Sequence, residues 1–222
     1  MSEDLSKLRD AIDAIDADIL QALSRRMQLS DRVIAAKGGI AAFRPGREAQ
    51  LVRRLVDQSA GLDLSADVIL GIWRQIMAAS LGRQNGKQTS FVHSAAMPAA
   101  VWHMGAMMAL QVDDSIASLL AMIAEGRCAY VLVPADQSDR ELAAGLASTA
   151  GVYIISRTPL YPIESIPPAY ILANYLPDPS GNDISLFLRE GNDGQVDLVA
   201  VEGYHNPPDA GQVGRLVGII AG

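Results

Sequence analysis

Two cations interrupt the apolar stripe of the first predicted helix. Apolar residues recur at three- and four-residue spacing from Leu5 to about Lys37, which predicts one long amphipathic helix. The seventh-residue position between Ile19 and Val33 holds Arg26, and Lys37 follows about three turns later on nearly the same face. Two like charges on a buried face repel each other unless an anion joins them. The pair therefore predicts an anion site, whereas a lone arginine would indicate a salt bridge.

Polar residues also continue the apolar face of the third predicted helix, which extends from Ala66 to about Gln84. Ser80 and Gln84 follow Trp73 and Ile76 along that face and would bring hydrogen-bonding groups to the same interior. For Gln84 alone, a frayed helix end in solvent explains the pattern equally well. Taken together, the two residues favour a polar site at this end of the helix.

The second predicted helix, from Arg47 to about Ser59, opens with the adjacent charges of Arg47 and Glu48, which alone would indicate a surface pair. Arg9 lies seventeen residues before Arg26, about 25 Å along a helix axis and about 100° around it. One helix cannot direct both arginines at one small ligand. Arg9 is therefore either exposed or serves a site in another subunit.

The chain after residue 86 changes from long helical patterns to short apolar runs. A helix is predicted over 114–126, and strands are predicted over 129–134, 152–156, 169–173, 184–188, 196–203 and 215–220. This alternation is typical of α/β or α+β architecture. The first helix, about 50 Å long, exceeds what the rest of a small domain can cover, so a partner chain is expected.

The charge distribution also divides the chain. The 222 residues carry a net charge of −7, with +2 over residues 1–90 and −9 over residues 91–222. We therefore predict two domains, 1–86 and 87–222, and an α plus α/β fold class. The acidic second part argues against nucleic acid as a partner.

Several other functions are excluded by what the sequence lacks. One cysteine and three widely spaced histidines argue against a disulfide and a metal site. The acidic start of the chain is unlike a signal peptide, and no apolar run of about 18 residues exists to span a membrane. We expect a cytoplasmic protein that requires no cofactor.

The segments LRDAIDAIDADIL, SRRMQLSDRVIAAK, RPGREAQLVRRL and IWRQIMAASLGRQ, spread over residues 5–85, resemble the all-helical class of chorismate mutases. The resemblance implies a three-helix, intertwined homodimer with two active sites. Arg44 stands where the family often has Asp. By match to the family motif, the residues that would line each pocket are Arg9 from the other subunit, Arg26, Lys37, Arg47, Glu48, Ser80 and Gln84.

The resemblance implies the Claisen rearrangement of chorismate to prephenate, in phenylalanine and tyrosine biosynthesis. The three arginines suit the two substrate carboxylates, because a guanidinium binds a carboxylate in a fixed fork. Lys37 and Gln84 would donate to the ether oxygen as negative charge develops there. Glu48 would accept from the ring hydroxyl, and Ser80 would assist a carboxylate. The reaction needs no nucleophile and no proton transfer.

Residues 89–96 and 113–138 are similar to the first lobe of prephenate dehydratases, residues 169–188 to the end of that enzyme, and residues 196–222 to the final part of an attached ACT-type regulatory domain. The similarity is gapped, and Pro168, Ala169 and Tyr170 stand where dehydratases have Thr-Arg-Phe. We therefore predict a shortened region without dehydratase activity. It could bind an aromatic amino acid as an effector or act as a dimerisation surface.

Two other functions stay open from the sequence. A non-catalytic regulatory or scaffold partner of shikimate-pathway enzymes could use the same dimer, although a scaffold has no need for the cations Arg26 and Lys37 on a buried face. An isochorismate–pyruvate lyase could share the helical fold. Glu48 and Gln84 complete the mutase set and favour rearrangement over lyase chemistry.

Overall fold

The computed structural model describes residues 4–37, 43–85, 90–105, 109–135, 139–191, 194–206 and 214–222. The chain divides into two units, residues 1–42 and 43–222. The predicted domain boundary after residue 86 does not coincide with this division and stays a prediction. No helix in the described ranges has the length and apolar character needed to cross a membrane.

The first unit contains helix α1, Leu5–Lys37, which has the predicted bounds. No glycine or proline interrupts its 33 residues, so the helix continues without a break. Its apolar stripe is exposed: Ile12 retains 57% and Ile19 51% of its accessible surface. The stripe that the periodicity predicts is therefore present, and a single chain leaves it in contact with solvent.

Two further helices begin the second unit. Helix α2 spans Pro45–Ser59, with proline in its first turn, where the missing backbone N–H costs no hydrogen bond. Helix α3 spans Ala66–Asn85, close to its predicted bounds. Its apolar residues Val68 and Ile72 are exposed, whereas Ile69 is buried. The buried side chains of α3 pack against the remainder of this unit: Ile69, Arg74, Met77, Ala78, Ser80 and Leu81.

Helix α2 is held by the loop over 177–182 and by the chain end. The Arg53 guanidinium donates to the carbonyl oxygens of Ser180, Asn182 and Gly222 at 2.7–3.1 Å. A Cβ atom on Gly46 would collide with the Asp178 carbonyl oxygen, so the helix approaches this loop at a distance that only glycine permits. The predicted mutase helices α2 and α3 are thus part of the same unit as the sheet.

The strands form one mixed sheet in the order β2-β1-β3-β5-β4-β8-β6-β7. Pairing is parallel for β1 with β2 and β3 and for β4 with β8, and antiparallel for the remaining neighbours. The strands are β1 Ser90–Val92, β2 Leu110–Val112, β3 Val131–Pro134, β4 Tyr153–Thr158, β5 Ala169–Ala173, β6 Asp183–Glu190, β7 Val196–Glu202 and β8 Arg215–Ala221.

Three helices accompany the sheet: α4 Met97–Met104, α5 Ile116–Ala124 and α6 Asp139–Ser148. The main core joins α5 and α6 to the central strands through side chains such as Leu119, Leu142, Ile154 and Val217. The predicted fold class, helices followed by an α/β region, is confirmed. All six predicted strands are present, and helix α5 lies within the predicted 114–126.

Candidate functional site

Three of the predicted site residues lie on α1. Arg9 is exposed, Arg26 is half-buried, and Lys37 is the last residue of the helix, its side chain outside the described residues. Because α1 is unbroken, Arg9 and Arg26 are about 25 Å apart by helical rise on the same chain. The unbroken helix is the one on which the sequence argument depends, namely that one chain cannot bring both arginines to one small ligand.

The other four predicted residues lie in the second unit. Arg47 is exposed and Glu48 half-buried in the first turn of α2. Ser80 is buried on α3, and its hydroxyl donates to the Ile76 carbonyl oxygen at 2.9 Å. Gln84 lies in the last turn of α3, and its side chain is outside the described residues.

Glu48 is paired with an arginine that the sequence reasoning missed. Arg74 of α3 is buried, with 7% of its surface accessible, and its Nη1 lies 2.7 Å from Glu48 Oε2. Its Nη2 lies 3.5 Å from Oε1, so the guanidinium faces both carboxylate oxygens. Glu48 therefore turns toward α3 and is more than the surface partner of Arg47 that the two adjacent charges alone would indicate.

A buried histidine lies on the other side of Arg74. His103 Nδ1 is 3.4 Å from Arg74 Nη1 and 3.1 Å from Thr158 Oγ1. A guanidinium can only donate, so Nδ1 accepts and the ring proton of neutral His103 sits on Nε2. Burial, and secondarily the Arg74 charge, lower the pKa of His103 well below 6.5, so the ring is neutral at pH 7.

These residues line a cavity within the second unit that is partly open to solvent. Its polar lining comprises Glu48, Arg74, His103, Ser156, Arg157, Thr158 and Tyr161. Its apolar lining includes Val52, Leu70, Met77, Trp102, Leu160 and Ile163. Two buried nitrogens in this group, Arg74 Nε and His103 Nε2, have no hydrogen-bond partner in the part of the chain that the structure describes.

A sequence signal existed for Arg74 but not for the rest of this cluster. Arg74 is a cation within the apolar run ILGIWRQIM, the same anomaly that identified Arg26. His103 and Thr158 are 55 residues apart and follow no motif. Only the packing of α4 beside α3 and the end of β4 brings them to Arg74.

Other potentially reactive side chains are weaker candidates for a functional site. In the described ranges, no cluster of three or more His, Cys, Asp or Glu side chains is arranged to hold a metal ion. Cys128 is half-buried against the main core, and burial raises its pKa to about 11, which keeps it a thiol. Ser90 is buried in β1, whereas Ser94 opens a 3-10 turn.

Comparison with known proteins connects the helical part to a family. Residues 8–85 match the family model for chorismate mutase type II. A bifunctional chorismate mutase/prephenate dehydratase from Neisseria gonorrhoeae is 28% identical over 149 residues, which covers 62% of this chain and 40% of that protein. A T-protein from Enterobacter agglomerans is 25% identical over 168 residues, covering 75% and 42%. The chain spans less than half the length of the curated relatives it matches.

Two solved structures are more distantly similar to this chain. One described as GqqA, a novel type of quorum quenching acylase, has a TM-score of 0.45 at 14% identity, covering 62% of this chain and 96% of that one. Prephenate dehydratase from Streptococcus mutans has a TM-score of 0.41 at 12% identity, covering 60% and 98%.

Proposed function

Because residues 8–85 belong to the chorismate mutase type II family, we propose that this chain rearranges chorismate to prephenate. The observation that carries the proposal is the match itself, which spans all seven predicted site residues, from Arg9 to Gln84. The proposed enzyme is a homodimer with two sites, each completed by Arg9 of the other subunit.

The exposed stripe of α1 supports the dimer. Leu5, Ile12, Ile19, Leu29 and Val33 each retain half or more of their surface in the single chain. A continuous apolar stripe of this length marks a surface that another chain covers. A second copy of α1 is the simplest such cover, and it would also supply Arg9 in trans.

The proposed chemistry uses electrostatics and positioning. Arg26 and Arg47, with the partner's arginine, bind the two carboxylates and hold the substrate folded for reaction, which removes entropy from the barrier. Lys37 and Gln84 donate to the ether oxygen, where negative charge grows in the transition state.

Glu48 accepts from the ring hydroxyl in this proposal, and Arg74 fixes its direction. A carboxylate has about four acceptor positions, so the two contacts to Arg74 leave room for a substrate hydroxyl. Ser80 donates to Ile76 in the structure. It would reach a substrate carboxylate only after its hydroxyl turns away from that carbonyl.

The proposal places the protein in the cytoplasm, in aromatic amino acid biosynthesis, with no cofactor. The region after residue 86 contributes no dehydratase activity, and an aromatic amino acid is a candidate effector. These statements are inferred from the family match and from the resemblance described in the sequence analysis.

The test is an assay of the purified chain with chorismate, prephenate and isochorismate, in which every product is identified. We expect prephenate from chorismate, with full activity after exhaustive chelation. Arg26→Ala should be nearly inactive, whereas Arg25→Ala, one position away on an exposed face, should keep the wild-type rate. Absence of turnover would favour a scaffold, and turnover of isochorismate alone would favour the lyase.

A further inference from the structure

Arg74 joins Glu48, the acceptor assigned to the ring hydroxyl, to two residues that lie outside the family match. Its Nη1 lies 2.7 Å from Glu48 Oε2 and 3.4 Å from His103 Nδ1. The same His103 nitrogen lies 3.1 Å from Thr158 Oγ1. The match to the mutase family ends at residue 85, so His103 of α4 and Thr158 of β4 belong to the region that follows the mutase helices.

These contacts give Arg74 Nη1 two acceptors. Each terminal nitrogen of a guanidinium carries two hydrogens, and Nη1 has one acceptor on Glu48 and another on His103. Because the guanidinium is planar, two acceptors on one nitrogen fix the direction of the whole fork. His103 thus determines how Arg74 presents its hydrogens to Glu48.

Arg74 holds the two carboxylate oxygens of Glu48 unequally. Oε2 lies 2.7 Å from Nη1, whereas Oε1 lies 3.5 Å from Nη2, too far for a strong hydrogen bond. The Glu48 side chain keeps 21% of its surface accessible, compared with 8% for Arg74. Oε2 is therefore the anchored oxygen, and Oε1 keeps more acceptor capacity for a substrate hydroxyl.

The other end of this row of contacts is closely packed. Arg74, His103 and Thr158 keep 7%, 4% and 3% of their surface. The fully buried ring of Phe43 meets the His103 ring edge-on, with 5.1 Å between the ring centres. Close packing leaves buried side chains few alternative rotamers. The direction of Arg74 is thus set by side chains that have little room to move.

We propose that His103 and Thr158 are positioning residues for the rearrangement: they hold Arg74, and Arg74 holds the Glu48 carboxylate where it accepts the ring hydroxyl. Because it depends on a substrate contact of Glu48, this role rests on the proposed function. It gives the region after residue 86 a part in the mutase reaction. Such support matters, since a misplacement of about 1 Å in an active site can cost about a hundredfold in rate.

The experiment compares chorismate with an analogue in which hydrogen replaces the ring hydroxyl. That hydroxyl takes no part in the bonds that form or break, so the analogue still rearranges. Selectivity is the kcat/KM for chorismate divided by the kcat/KM for the analogue. The intrinsic reactivities of the two compounds cancel when the selectivities of wild type and variant are compared. A general loosening of the site lowers both kcat/KM values together and leaves the selectivity unchanged.

Three variants test the positioning role. His103→Leu removes the nitrogen that Arg74 reaches and should lower the selectivity at least about fivefold, because a hydrogen bond to a charged acceptor contributes about tenfold or more. His103→Asn keeps an acceptor oxygen on Cγ, the atom that bears Nδ1 in histidine, and should retain most of the wild-type selectivity. Thr158→Val removes the hydroxyl, keeps the side-chain shape and should lower the selectivity about twofold or more.

Ser185→Ala is the matched control. The buried Ser185 hydroxyl donates to the Gly203 carbonyl oxygen at 2.8 Å, and its strand β6 is separated from β4 by β8. The substitution should lower the free energy of unfolding but leave the selectivity at the wild-type value. Circular dichroism checks the fold of every variant. If His103→Leu does not fold, the smaller change Thr158→Val decides the outcome.

The possible failures are distinguishable. Unchanged selectivity in folded His103→Leu or Thr158→Val would overturn the positioning role and leave the mutase proposal standing. An equal loss in His103→Asn and His103→Leu, or in Ser185→Ala and His103→Leu, would also overturn it, because lost packing would then explain the effect. A wild-type chain that does not rearrange chorismate would refute the proposed function, and the positioning role with it.

Discussion

Arg74 of α3 and Glu48 of α2 form a salt bridge whose arginine is buried, with Nη1 2.7 Å from Oε2. The same guanidinium reaches His103 of α4, which in turn contacts Thr158 at the end of β4. Four elements therefore meet at one buried cation. Removing one partner of such a pair leaves the other charge without compensation in a poorly solvated place.

Arg74→Gln should lower the free energy of unfolding by about 2–3 kcal/mol, less than for a fully buried pair because Glu48 keeps some contact with solvent. Denaturant unfolding at fixed protein concentration measures the change. Arg127→Gln is the matched control, because its 2.7 Å pair with Glu125 is exposed on both sides and should contribute less than about 1 kcal/mol. Equal effects of the two substitutions would show that burial of Arg74 does not strengthen its pair.

The interaction free energy between Glu48 and Arg74 can be measured by adding the variant Glu48→Gln. If the two charges stabilise each other, the double variant with Arg74→Gln should lose less than the sum of the single losses. Additive losses would mean that the two side chains act independently.

Stability should depend on the protonation of His103. Its folded pKa is depressed by burial and by Arg74, so the unfolded state binds the proton more readily. The contribution of His103 to the free energy of unfolding is fully present above about pH 6.5, the usual pKa of an unfolded histidine. It falls as the pH drops toward the lower folded pKa, by at most about 1.4 kcal/mol per pH unit for this one group. Unfolding midpoints between pH 7.5 and 5 would measure it.

His103→Gln should flatten that pH dependence, since glutamine does not titrate. His93→Gln serves as the control, because His93 is near Asp114 rather than Arg74. A wild-type slope that persists in His103→Gln would assign the effect to other groups.

The regular elements followed from sequence wherever apolar periodicity was long. Helix α1 has the predicted ends because Leu5–Lys37 contains no glycine or proline, and β5 coincides with AYILA at 169–173. Strands β1 and β2 were missed because three residues are too short for a detectable alternation. Helices α4 and α6 were missed because they are short and rich in alanine, so neither presents a sustained polar face.

The cavity depended on contacts that no local pattern encodes. Arg74 was visible as a cation in an apolar run, but its partners come from α2, α4 and β4. The exposure of Val68 and Ile72 was also unpredictable, because α3 has apolar residues on more than one face. Which face is buried depends on where α4 and the sheet pack.

Lys37→Ala should lose most of the mutase rate, since a preorganised donor at a developing charge contributes about 3 kcal/mol or more, over a hundredfold in kcat. Gln84→Ala should lose a similar amount. Steady-state kinetics with chorismate measure both. Lys7→Ala, on an exposed part of α1, is the control and should retain the wild-type rate.

Gln84→Glu should be active only at acidic pH. A glutamate donates a hydrogen bond only when protonated, and its usual pKa is about 4.3, so the rate should rise as the pH falls toward that region. Wild type, whose amide donates at every pH, should lack this dependence. A flat profile for Gln84→Glu would show that residue 84 does not face the ether oxygen.

Prephenate should not become phenylpyruvate in the presence of this chain. The basis is Pro168, Ala169 and Tyr170, which replace the hydroxyl and cation of the Thr-Arg-Phe motif. Incubation at neutral pH limits the spontaneous reaction, and a sample without enzyme gives the background. Enzyme-dependent phenylpyruvate would contradict the predicted loss of dehydratase activity.

Arg9 should act in the partner subunit's site. On its own chain it lies about 25 Å by helical rise from Arg26, yet the family resemblance places both at one substrate. Only a dimer that exchanges helices satisfies both conditions. Arg9→Ala and Arg26→Ala should therefore each be nearly inactive as homodimers, measured by prephenate formation.

Unfolding the two variants together and refolding them should restore activity. A mixed dimer has one pocket that lacks both arginines and one pocket that lacks neither. Random mixing makes about half of the dimers mixed, each with one complete site, so about a quarter of the wild-type activity should return. Wild type carried through the same treatment is the control. If it survives and the mixture regains nothing, Arg9 does not serve the neighbouring subunit.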